Sequence, residues 1–509
     1  MPGQDDTNAV PPASARRPSR WPVRSGRRGD PGGGQSVPRR AFLSYSAALG
    51  AGAAVASLSA CGGTSIGAGG TTGSGAAPGQ VGSKLYPFGP AQTLNRSLHW
   101  PRAMNEPGQK VTLTVAHTWT PDMWVRQQQF DKFFMERHRN IVLNAQNTPA
   151  ADYQTKYSVQ AAAGSLPDVM YVQWSFAQQY IKARQFAVLD SYMATQPGFD
   201  IGDFTKPSMP FYQRDGHTYG IPYDCAAILL AYNKDLFDKA GLTYPQPNWT
   251  LDDVLAAARK LTSGSGPDKI YGFGSVANIS YPYAGALYLE PFGARFLNQA
   301  QTRCVTDSPA AVSAMDWWVN ELGRYGPSFA EYQAISESGE SAFLLGRAGM
   351  DFGASWLASI LKAQTTIRFG FTNWPRGPVA RTTGVTGSSY TITRGSQNKD
   401  AAWIYLNEYT STAGLTFMFS STGGASPARA SAWPYYLHSK NAPDGGELFL
   451  STLNSYATTD GVDYLPQEQQ ILQALTPVWD KVWARQESVA AGLHQANALV
   501  QPMLSGGTT

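Results

Sequence analysis

Apolar and polar positions between residues 111 and 172 recur with two different periods. Short runs rich in β-branched and apolar residues predict strands over 111–115, 141–143 and 169–172. The two segments between them, 123–137 and 152–163, carry aromatic residues at helical spacing and predict helices. The alternation of strand and helix therefore predicts an α/β fold with largely parallel sheets.

Helix signals continue toward the C-terminus. Thr250 is predicted to be the N-cap of a helix over 251–261, and two more helices are predicted over 310–323 and 400–411. We find no internal repeat. The 509 residues are too many for one ordinary domain and sufficient for two or three.

The first 61 residues have the composition of an export signal. Arg39 and Arg40 precede a weakly apolar run over 41–60, which ends in the small residues before Cys61. The paired arginines resemble a twin-arginine signal, and residues 58–61 (LSAC) resemble a bacterial lipobox with Cys61 as the lipidated residue. The alternative is an uncleaved membrane anchor, but the run is rich in Gly, Ala and Ser and would insert weakly.

The segment that follows Cys61 is rich in Gly and Ser and predicts a flexible spacer. We therefore expect an exported protein, held by its lipid on the outer face of the cytoplasmic membrane.

Charge separates the signal from the rest of the chain. Residues 1–61 contain eight of the 40 basic and three of the 36 acidic residues, so the remainder is close to neutral. Residues 62–509, which carry almost no net charge, therefore lack the basic surface that nucleic-acid binding requires.

Cys225 and Cys304 remain as a possible disulfide or as two free buried thiols. The 12% of aromatic residues must line a core, an interface or a ligand cleft.

Motifs of catalysis are missing from the sequence. The one Gly-x-Ser-x-Gly pattern, at residues 63–67 (GTSIG), falls in the Gly- and Ser-rich segment after Cys61 and not between a strand and a helix; there is no zinc-protease motif and no phosphate loop, and the six histidines are scattered. We predict no catalytic residue, no metal and no cofactor. A glycoside hydrolase remains the enzyme alternative, because its two carboxylates can come from any part of a chain.

Five groups of motifs carry a specific resemblance. Their segments, in chain order, are 163–169 (AGSLPDV), 216–223 (GHTYGIPY) with 231–237 (AYNKDLF), 343–356 (FLLGRAGMDFGASW), 384–388 (GVTGS) with 398–403 (NKDAAW), and 426–429 (SPAR). In this order they resemble the family 1 extracellular solute-binding proteins, the relatives of maltose-binding protein. The resemblance spans about residues 110 to 500.

That resemblance implies a two-lobed periplasmic-binding-protein-like fold, with discontinuous lobes, hinge crossovers and a central ligand cleft. By analogy, 110–224 and 387–436 form one lobe, and 225–386 and 437–509 form the other; 62–109 is a tether and N-terminal extension. The implied function is capture of a carbohydrate for an ABC-type permease by a monomer. Sugars, polyols and glycerol phosphodiesters all occur in the family. A sugar sensor or adhesion lipoprotein without transport is the third alternative.

Sugars offer hydroxyl groups to polar side chains and C–H faces to aromatic rings. The resemblance and the positions of strand ends select ten candidate ligand-binding residues: Trp119, Trp174, Tyr223, Asp224, Tyr281, Tyr283, Trp356, Gly387, Ser388 and Arg429. Trp174 and Trp356 are predicted to be aromatic plates from opposite lobes.

Several of these residues have a second interpretation. Trp119, Trp174, Tyr281 and Tyr283 could pack in the core, and Asp224 could cap a turn. Arg429 could form a surface salt bridge instead of contacting ligand.

Overall fold

The computed structural model describes residues 98–505, apart from 282, 338–340, 365–366, 423–424, 440–441, 444 and 460. The predicted signal peptide, Cys61 and the spacer after it lie outside the described residues. In the part of the chain that is described, no helix has both the length and the apolar character needed to cross a membrane.

The strands of the described part are short and are spread along most of it. They are β1 (Val111–His117), β2 (Ile141–Asn147), β3 (Val169–Gln173), β4 (Gln213–Arg214), β5 (His217–Thr218), β6 (Ile221–Ala227), β7 (Leu229–Asn233), β8 (Tyr271–Phe273), β9 (Ala348–Gly353), β10 (Phe369–Thr372) and β11 (Val385–Ile392).

Helices separate these strands and dominate the C-terminal part of the chain. They are α1 (Pro121–Arg137), α2 (Ala150–Ala162), α3 (Trp174–Lys182), α4 (Asp190–Thr195), α5 (Lys234–Lys239), α6 (Leu251–Leu261), α7 (Pro309–Asp316), α8 (Phe329–Glu337), α9 (Ser355–Gln364), α10 (Lys399–Tyr409), α11 (Thr412–Thr422), α12 (Trp433–Leu437), α13 (Glu447–Ser455), α14 (Glu468–Trp483) and α15 (Val489–Ser505).

Two mixed sheets organise the fold. The larger sheet has the order β2-β1-β3-β11-β6 and the smaller has the order β10-β7-β9-β8. We call the elements around the larger sheet the first lobe and those around the smaller sheet the second lobe. The predicted α/β class and two-lobed architecture are confirmed, and the chain passes repeatedly between the lobes.

The prediction of largely parallel sheets is wrong. Among the described strands of the two sheets, only the β1–β2, β1–β3 and β8–β9 pairings are parallel. Strand β11 lies antiparallel to both β3 and β6, and β7 lies antiparallel to both β9 and β10. The reason is topological, because β7 and β11 enter their sheets directly from the other lobe and not through a helical crossover of the kind that parallel neighbours need.

Two crossover segments lie side by side between the lobes. Ile228 separates β6 from β7, and Gly384 immediately precedes β11. The Ile228 N–H donates to the Gly384 carbonyl at 3.0 Å, and the Thr383 hydroxyl donates to the Ile228 carbonyl. The predicted lobe boundaries after 224 and 386 fall inside β6 and β11, and they stay predictions.

Local signals account well for helix starts. Thr250 is the N-cap of α6, as the sequence predicts, and the structure adds a reciprocal capping box with Asp253. The predicted helix over 310–323 begins as α7 and passes directly into a π-helical turn over Trp317–Glu321.

Cys225 and Cys304 are both free buried thiols, which resolves the alternative left open by the sequence.

Residues 98–110 lie against the first lobe. The Trp100 ring packs on Phe133 at a centroid distance of 4.8 Å, and the Pro107 carbonyl accepts a hydrogen bond from the Asn140 side chain at 2.8 Å. Glu106 binds His138 Nδ1 at 2.5 Å. These contacts fasten the start of the described chain to α1 and to the turn before β2.

A buried carboxylate joins this segment to α10. Glu408, whose side chain is 1% exposed, accepts from Arg137 at 2.9 Å and from His138 Nε2 at 2.8 Å. Burial alone would lower the pKa of His138, but the hydrogen bonds and charges of Glu408 and Glu106 outweigh it and hold that pKa above its usual value.

Candidate functional site

Three neighbouring strands of the larger sheet bring polar side chains together at one level. Ser388 of β11 is opposite Gln173 of β3 on one side and opposite Asp224 of β6 on the other. The Ser388 hydroxyl donates to Asp224 Oδ2 at 2.8 Å. Burial raises the pKa of Asp224 to about 6. The first lobe thus presents a carboxylate that is held in place by one serine.

Gly387 has a structural reason to be glycine. A Cβ at this position would lie 2.6 Å from the backbone carbonyl oxygen of Asp224, so the close pairing of β11 with β6 excludes a side chain. The sequence predicts a close backbone approach to a ligand here, and the structure shows a close approach of two strands. A contact between Gly387 and ligand stays a prediction.

An aromatic wall stands beside Asp224. The ring of Trp119 lies 5.8 Å from that of Tyr171 and 5.4 Å from that of Tyr223, measured between centroids. Trp119 is half-buried, and its orientation is fixed by a hydrogen bond from Nε1 to Gln127 Oε1 at 3.1 Å. Tyr409 also donates to Gln127 Oε1. The Trp119 ring is therefore half-exposed and is held in one orientation by Gln127.

The two lobes touch through aromatic rings. Trp174 begins α3 directly after β3, and its ring centroid lies 6.1 Å from that of Tyr283 in the second lobe. Trp174 is 2% exposed and Tyr283 is 1% exposed. Trp174 Nε1 and the Tyr283 hydroxyl are buried, and neither has a hydrogen-bond partner in the described part of the chain. The lobes are closed over this position, with two polar groups unsatisfied between them.

Tyr283 is held in an uncommon backbone conformation. Its φ is 58°, in the left-handed region that residues other than glycine rarely occupy. Its N–H donates to Asp463 Oδ1 at 3.3 Å. Backbone strain of this kind persists only where the surroundings hold it in place. Asp463 and the crossover at Gly384 together fix the Tyr283 ring toward Trp174.

Gly384 makes room for that ring. A Cβ at Gly384 would lie 2.6 Å from Tyr283 Cβ and 2.9 Å from its Cγ, whereas a Cβ at Gly395 would meet no atom within 4 Å. We expect Gly384→Ala to displace Tyr283 at a cost of about 1–3 kcal/mol in unfolding free energy, and to weaken ligand binding by about tenfold because the displaced ring lies at the junction of the lobes. Isothermal titration would measure the loss. Gly395→Ala is the matched control, and equal affinities for the two variants would contradict the expectation.

The second lobe contributes a wall of tyrosines and one buried acid. The hydroxyl groups of Tyr281 and Tyr332 are 2.6 Å apart. Asp351 of β9 accepts hydrogen bonds from the Ser275 hydroxyl and, at 2.8 Å, from the Phe352 N–H. Burial raises the pKa of Asp351 to about 7.

Trp356 differs from Trp174 in its surroundings. It is the second residue of α9 and is half-buried against the core. It forms no ring–ring contact among the described residues, so its faces are not covered by other aromatic groups. Its predicted role as a plate of the second lobe stays a prediction.

Arg429 is engaged by the protein itself. Its Nε donates to the Thr410 carbonyl at 2.7 Å, and its Nη1 donates to the Asp200 carbonyl at 3.1 Å and to Asp203 at 3.2 Å. The guanidinium also lies 4.1 Å from the centre of the Phe204 ring. The ion pair is buried and not on the surface. A ligand contact of Arg429 would require some of these bonds to break.

Asp351, Tyr171 and Gln127 were not among the candidates from the sequence. The sequence did offer a signal for Asp351: it is an acid within the otherwise apolar segment 348–353, and a buried acid must be paired or hydrogen-bonded. Gln127 had none, since its polar partner Tyr409 is 282 positions away in the sequence.

Comparison with known proteins agrees with the two-lobed fold. The family model described as "Bacterial extracellular solute-binding protein" matches residues 120–415. An ABC substrate-binding protein of Listeria monocytogenes, solved in complex with cycloalternan, superposes with a TM-score of 0.70 at 22% identity, over 78% of this chain and 100% of that one.

Two curated relatives extend the comparison. A lactose-binding protein of Rhizobium radiobacter is 22% identical over 57% of this chain and 68% of its own length. A mannitol-binding protein of Pseudomonas aeruginosa is 25% identical over 58% of this chain and 63% of its own length.

Proposed function

Since this chain belongs to the family of bacterial extracellular solute-binding proteins, we propose that it captures a carbohydrate between its two lobes and delivers it to an ABC-type importer. The ligand class is a mono- or oligosaccharide or a related polyol. The family is one of binding proteins, which supports the prediction that the chain is not an enzyme.

One observation carries the proposal: the contact between Trp174 and Tyr283 leaves two buried polar groups without partners at the junction of the lobes. An unsatisfied buried donor costs about 1–3 kcal/mol. Closure is therefore unfavourable at this position unless a ligand supplies acceptor atoms. A ligand that contacts both lobes binds the closed form better than the open form, and only that difference shifts the equilibrium toward closure.

The two walls supply what a sugar needs. Trp119 and Trp356 offer half-exposed rings for C–H faces, and Asp224 offers an acceptor for hydroxyl groups. The aromatic rings add contact area at a small loss of side-chain entropy, and the polar groups set specificity because an unpaired hydroxyl in a buried cleft is costly.

A screen of carbohydrates tests the proposal directly. A ligand present at 100 times its Kd adds about 2.7 kcal/mol to the free energy of unfolding, which thermal melting detects. We expect at least one sugar or polyol to raise the melting temperature, and small-angle scattering to show a smaller radius with that ligand. If no member of a broad panel stabilises the protein, carbohydrate capture is wrong.

We further propose that the protein is anchored by a lipid on Cys61 and exported through the twin-arginine route. The support is the order of paired arginines, a weakly apolar run, LSAC and a flexible spacer. Export that depends on Arg39 and Arg40 would be lost when both are replaced by lysine. Normal export of that variant would point to the general secretory route.

Cys61→Ala is expected to shift the protein from the membrane fraction to the soluble fraction, or to leave its precursor unprocessed, because the acylated sulfur is lost. Fractionation followed by immunoblotting measures the distribution, and mass spectrometry of the mature N-terminus identifies the processing site. Cys304→Ala is the control, since Cys304 is buried in the second lobe. An unchanged membrane fraction for Cys61→Ala would show that another segment holds the protein on the membrane.

A further inference from the structure

Residues 425–429 lie along the outer edge of the larger sheet, beside the hinge. The Cys225 N–H of β6 donates to the Ser426 carbonyl at 3.0 Å, and the Ala428 N–H donates to the Tyr223 carbonyl at 3.1 Å. These bonds hold the segment antiparallel to β6, which is the last strand of that sheet. Ser426 thus belongs to the first lobe, and it lies near the end of β6, where the chain crosses to the second lobe.

The start of α9 reaches the same place from the second lobe. Gly353, which ends β9, pairs with Leu229, the residue at which β7 leaves the crossover. The turn from β9 into α9 is tight, because a Cβ at Gly353 would lie 2.3 Å from Leu357 Cδ2. Ser355 therefore begins α9 at the hinge end of the second lobe, and Trp356 follows it directly.

A pair of serine hydroxyl groups joins the two lobes at this point. The hydroxyl oxygens of Ser355 and Ser426 are 3.1 Å apart, and both residues are 0% exposed, so water does not compete for the bond. The Ser426 hydroxyl donates to the Cys225 carbonyl at 2.7 Å, because a carbonyl can only accept. Since a serine has one hydroxyl proton, Ser355 must be the donor to Ser426. The hydrogen bonds therefore run in one direction, from α9 to β6.

We propose that the hydrogen bond between Ser355 and Ser426 is a tie between the lobes that positions Trp356. The tie holds the first turn of α9 against β6 and thereby fixes the direction of the Trp356 ring at the junction of the lobes. The inference rests on the proposed function, because Trp356 is proposed there to contact the sugar. Ser355 and Ser426 are positioning residues, and neither has to touch the ligand.

A separate contact supports this role. Lys362, in the last turn of α9, donates to the Ala442 carbonyl at 2.6 Å. Ser426 and Ala442 both belong to the chain between α11 and α13. That one segment therefore holds α9 at both of its ends.

Hydrogen–deuterium exchange of the ligand-free protein tests the tie itself. Ser355→Ala and Ser426→Ala each remove the bond, so amide exchange over 356–362 should rise about fivefold, the effect of one net hydrogen bond. Alanine is a better helix former than serine, so without a tie Ser355→Ala would slow this exchange. Ser426 is 71 positions away from Ser355, so its effect on α9 can only act through space. Exchange in α6, which belongs to the same lobe as α9, should not change.

Ser208→Ala is the matched control. Ser208 is 2% exposed, and its hydroxyl donates to the Thr205 carbonyl at 2.7 Å within the first lobe. This variant should leave the exchange of α9 unchanged. Unchanged exchange of α9 in Ser355→Ala and Ser426→Ala overturns the inference, whether or not a ligand is known. An equal rise in all helices would show a general loss of stability and overturns it as well.

The affinity for a sugar tests whether the tie acts through Trp356. The probe is whichever of maltose, lactose and D-mannitol raises the melting temperature most, and calorimetry gives its Kd. Ser355→Ala should weaken binding about three- to tenfold, and it should have no further effect in the Trp356→Ala background, because residues that act through one another are not additive.

The outcomes separate this inference from the proposed function. A Kd that Ser355→Ala does not change, or a loss that is repeated in full in the Trp356→Ala background, overturns the positioning of Trp356 and leaves sugar capture intact. If neither these probes nor any member of the broader carbohydrate panel binds, the proposed function fails, and the exchange of α9 alone decides whether the tie exists.

Discussion

Replacing Trp356 with alanine is expected to weaken carbohydrate binding by about 10- to 100-fold while leaving the stability of the ligand-free protein almost unchanged. Trp356 is half-buried, and its ring stacks on no other ring among the described residues. Covering about 80 Å² of ring face at about 25 cal/mol per Å² contributes roughly 2 kcal/mol to binding, or about thirty-fold in Kd. Calorimetric titration measures the affinity, and denaturant unfolding measures the stability.

Trp174→Ala is the matched comparison, and it should lower both the affinity for carbohydrate and the stability of the ligand-free protein. Its ring is 2% exposed and packs against Phe211 at a centroid distance of 5.6 Å, so its removal leaves a cavity. Loss of a large core side chain costs about 3–5 kcal/mol of unfolding free energy. If Trp356→Ala instead lost stability on this scale and kept its affinity, Trp356 would belong to the core and not to the cleft.

Glu408→Ala should be among the most destabilising single substitutions, with a loss of about 3–5 kcal/mol in the free energy of unfolding. The carboxylate is buried and accepts from both Arg137 and His138, so its removal takes the acceptor from the buried His138 Nε2 and from the half-buried Arg137 guanidinium. Glu331→Ala is the control, because its ion pair with Lys269 is much more exposed and should contribute about 1 kcal/mol or less. Equal losses for the two variants would show that burial of the pair does not matter here.

The loss in Glu408→Ala should also depend on pH. His138 has a raised pKa in the folded protein, so its stabilising contribution is fully present below its unfolded pKa of about 6.5 and is lost as the pH rises through the folded value. Removing Glu408 takes away the first of the partners that raise this pKa. We therefore expect the difference in unfolding free energy between wild type and variant to be larger at pH 6 than at pH 9. A difference that does not change with pH would contradict this account.

Local chemistry in the sequence was sufficient for the elements that position the cleft. The apolar run over 169–172 predicts the strand β3, which the structure has over Val169–Gln173 directly before Trp174; the role of Trp174 as a ligand contact stays a prediction. Thr250 and Asp253 are three residues apart, so the capping box that starts α6 is written within one turn. Predictions of this kind succeed because the interacting groups are neighbours in the chain.

Long-range pairing could not be predicted in the same way. Nothing within 348–353 indicates that Asp351 accepts a hydrogen bond from Ser275, because 76 positions and several elements separate them. The antiparallel placement of β11 depends on the route of the chain through the hinge, which leaves no periodic signal. Arg429 illustrates the converse: its residue type suggested a ligand contact or a surface pair, while its surroundings place it in a buried network with Asp203.

The fastening of residues 98–110 also has a mechanical consequence. Trp100, Glu106 and Pro107 all contact α1 or the residues just after it, so force that enters the described chain at Leu98 is carried by the first lobe before it reaches β1. The hinge at Ile228 and Gly384 lies beyond that load path. The connection between the lobes would therefore bear none of a pull that is applied on the N-terminal side of Leu98.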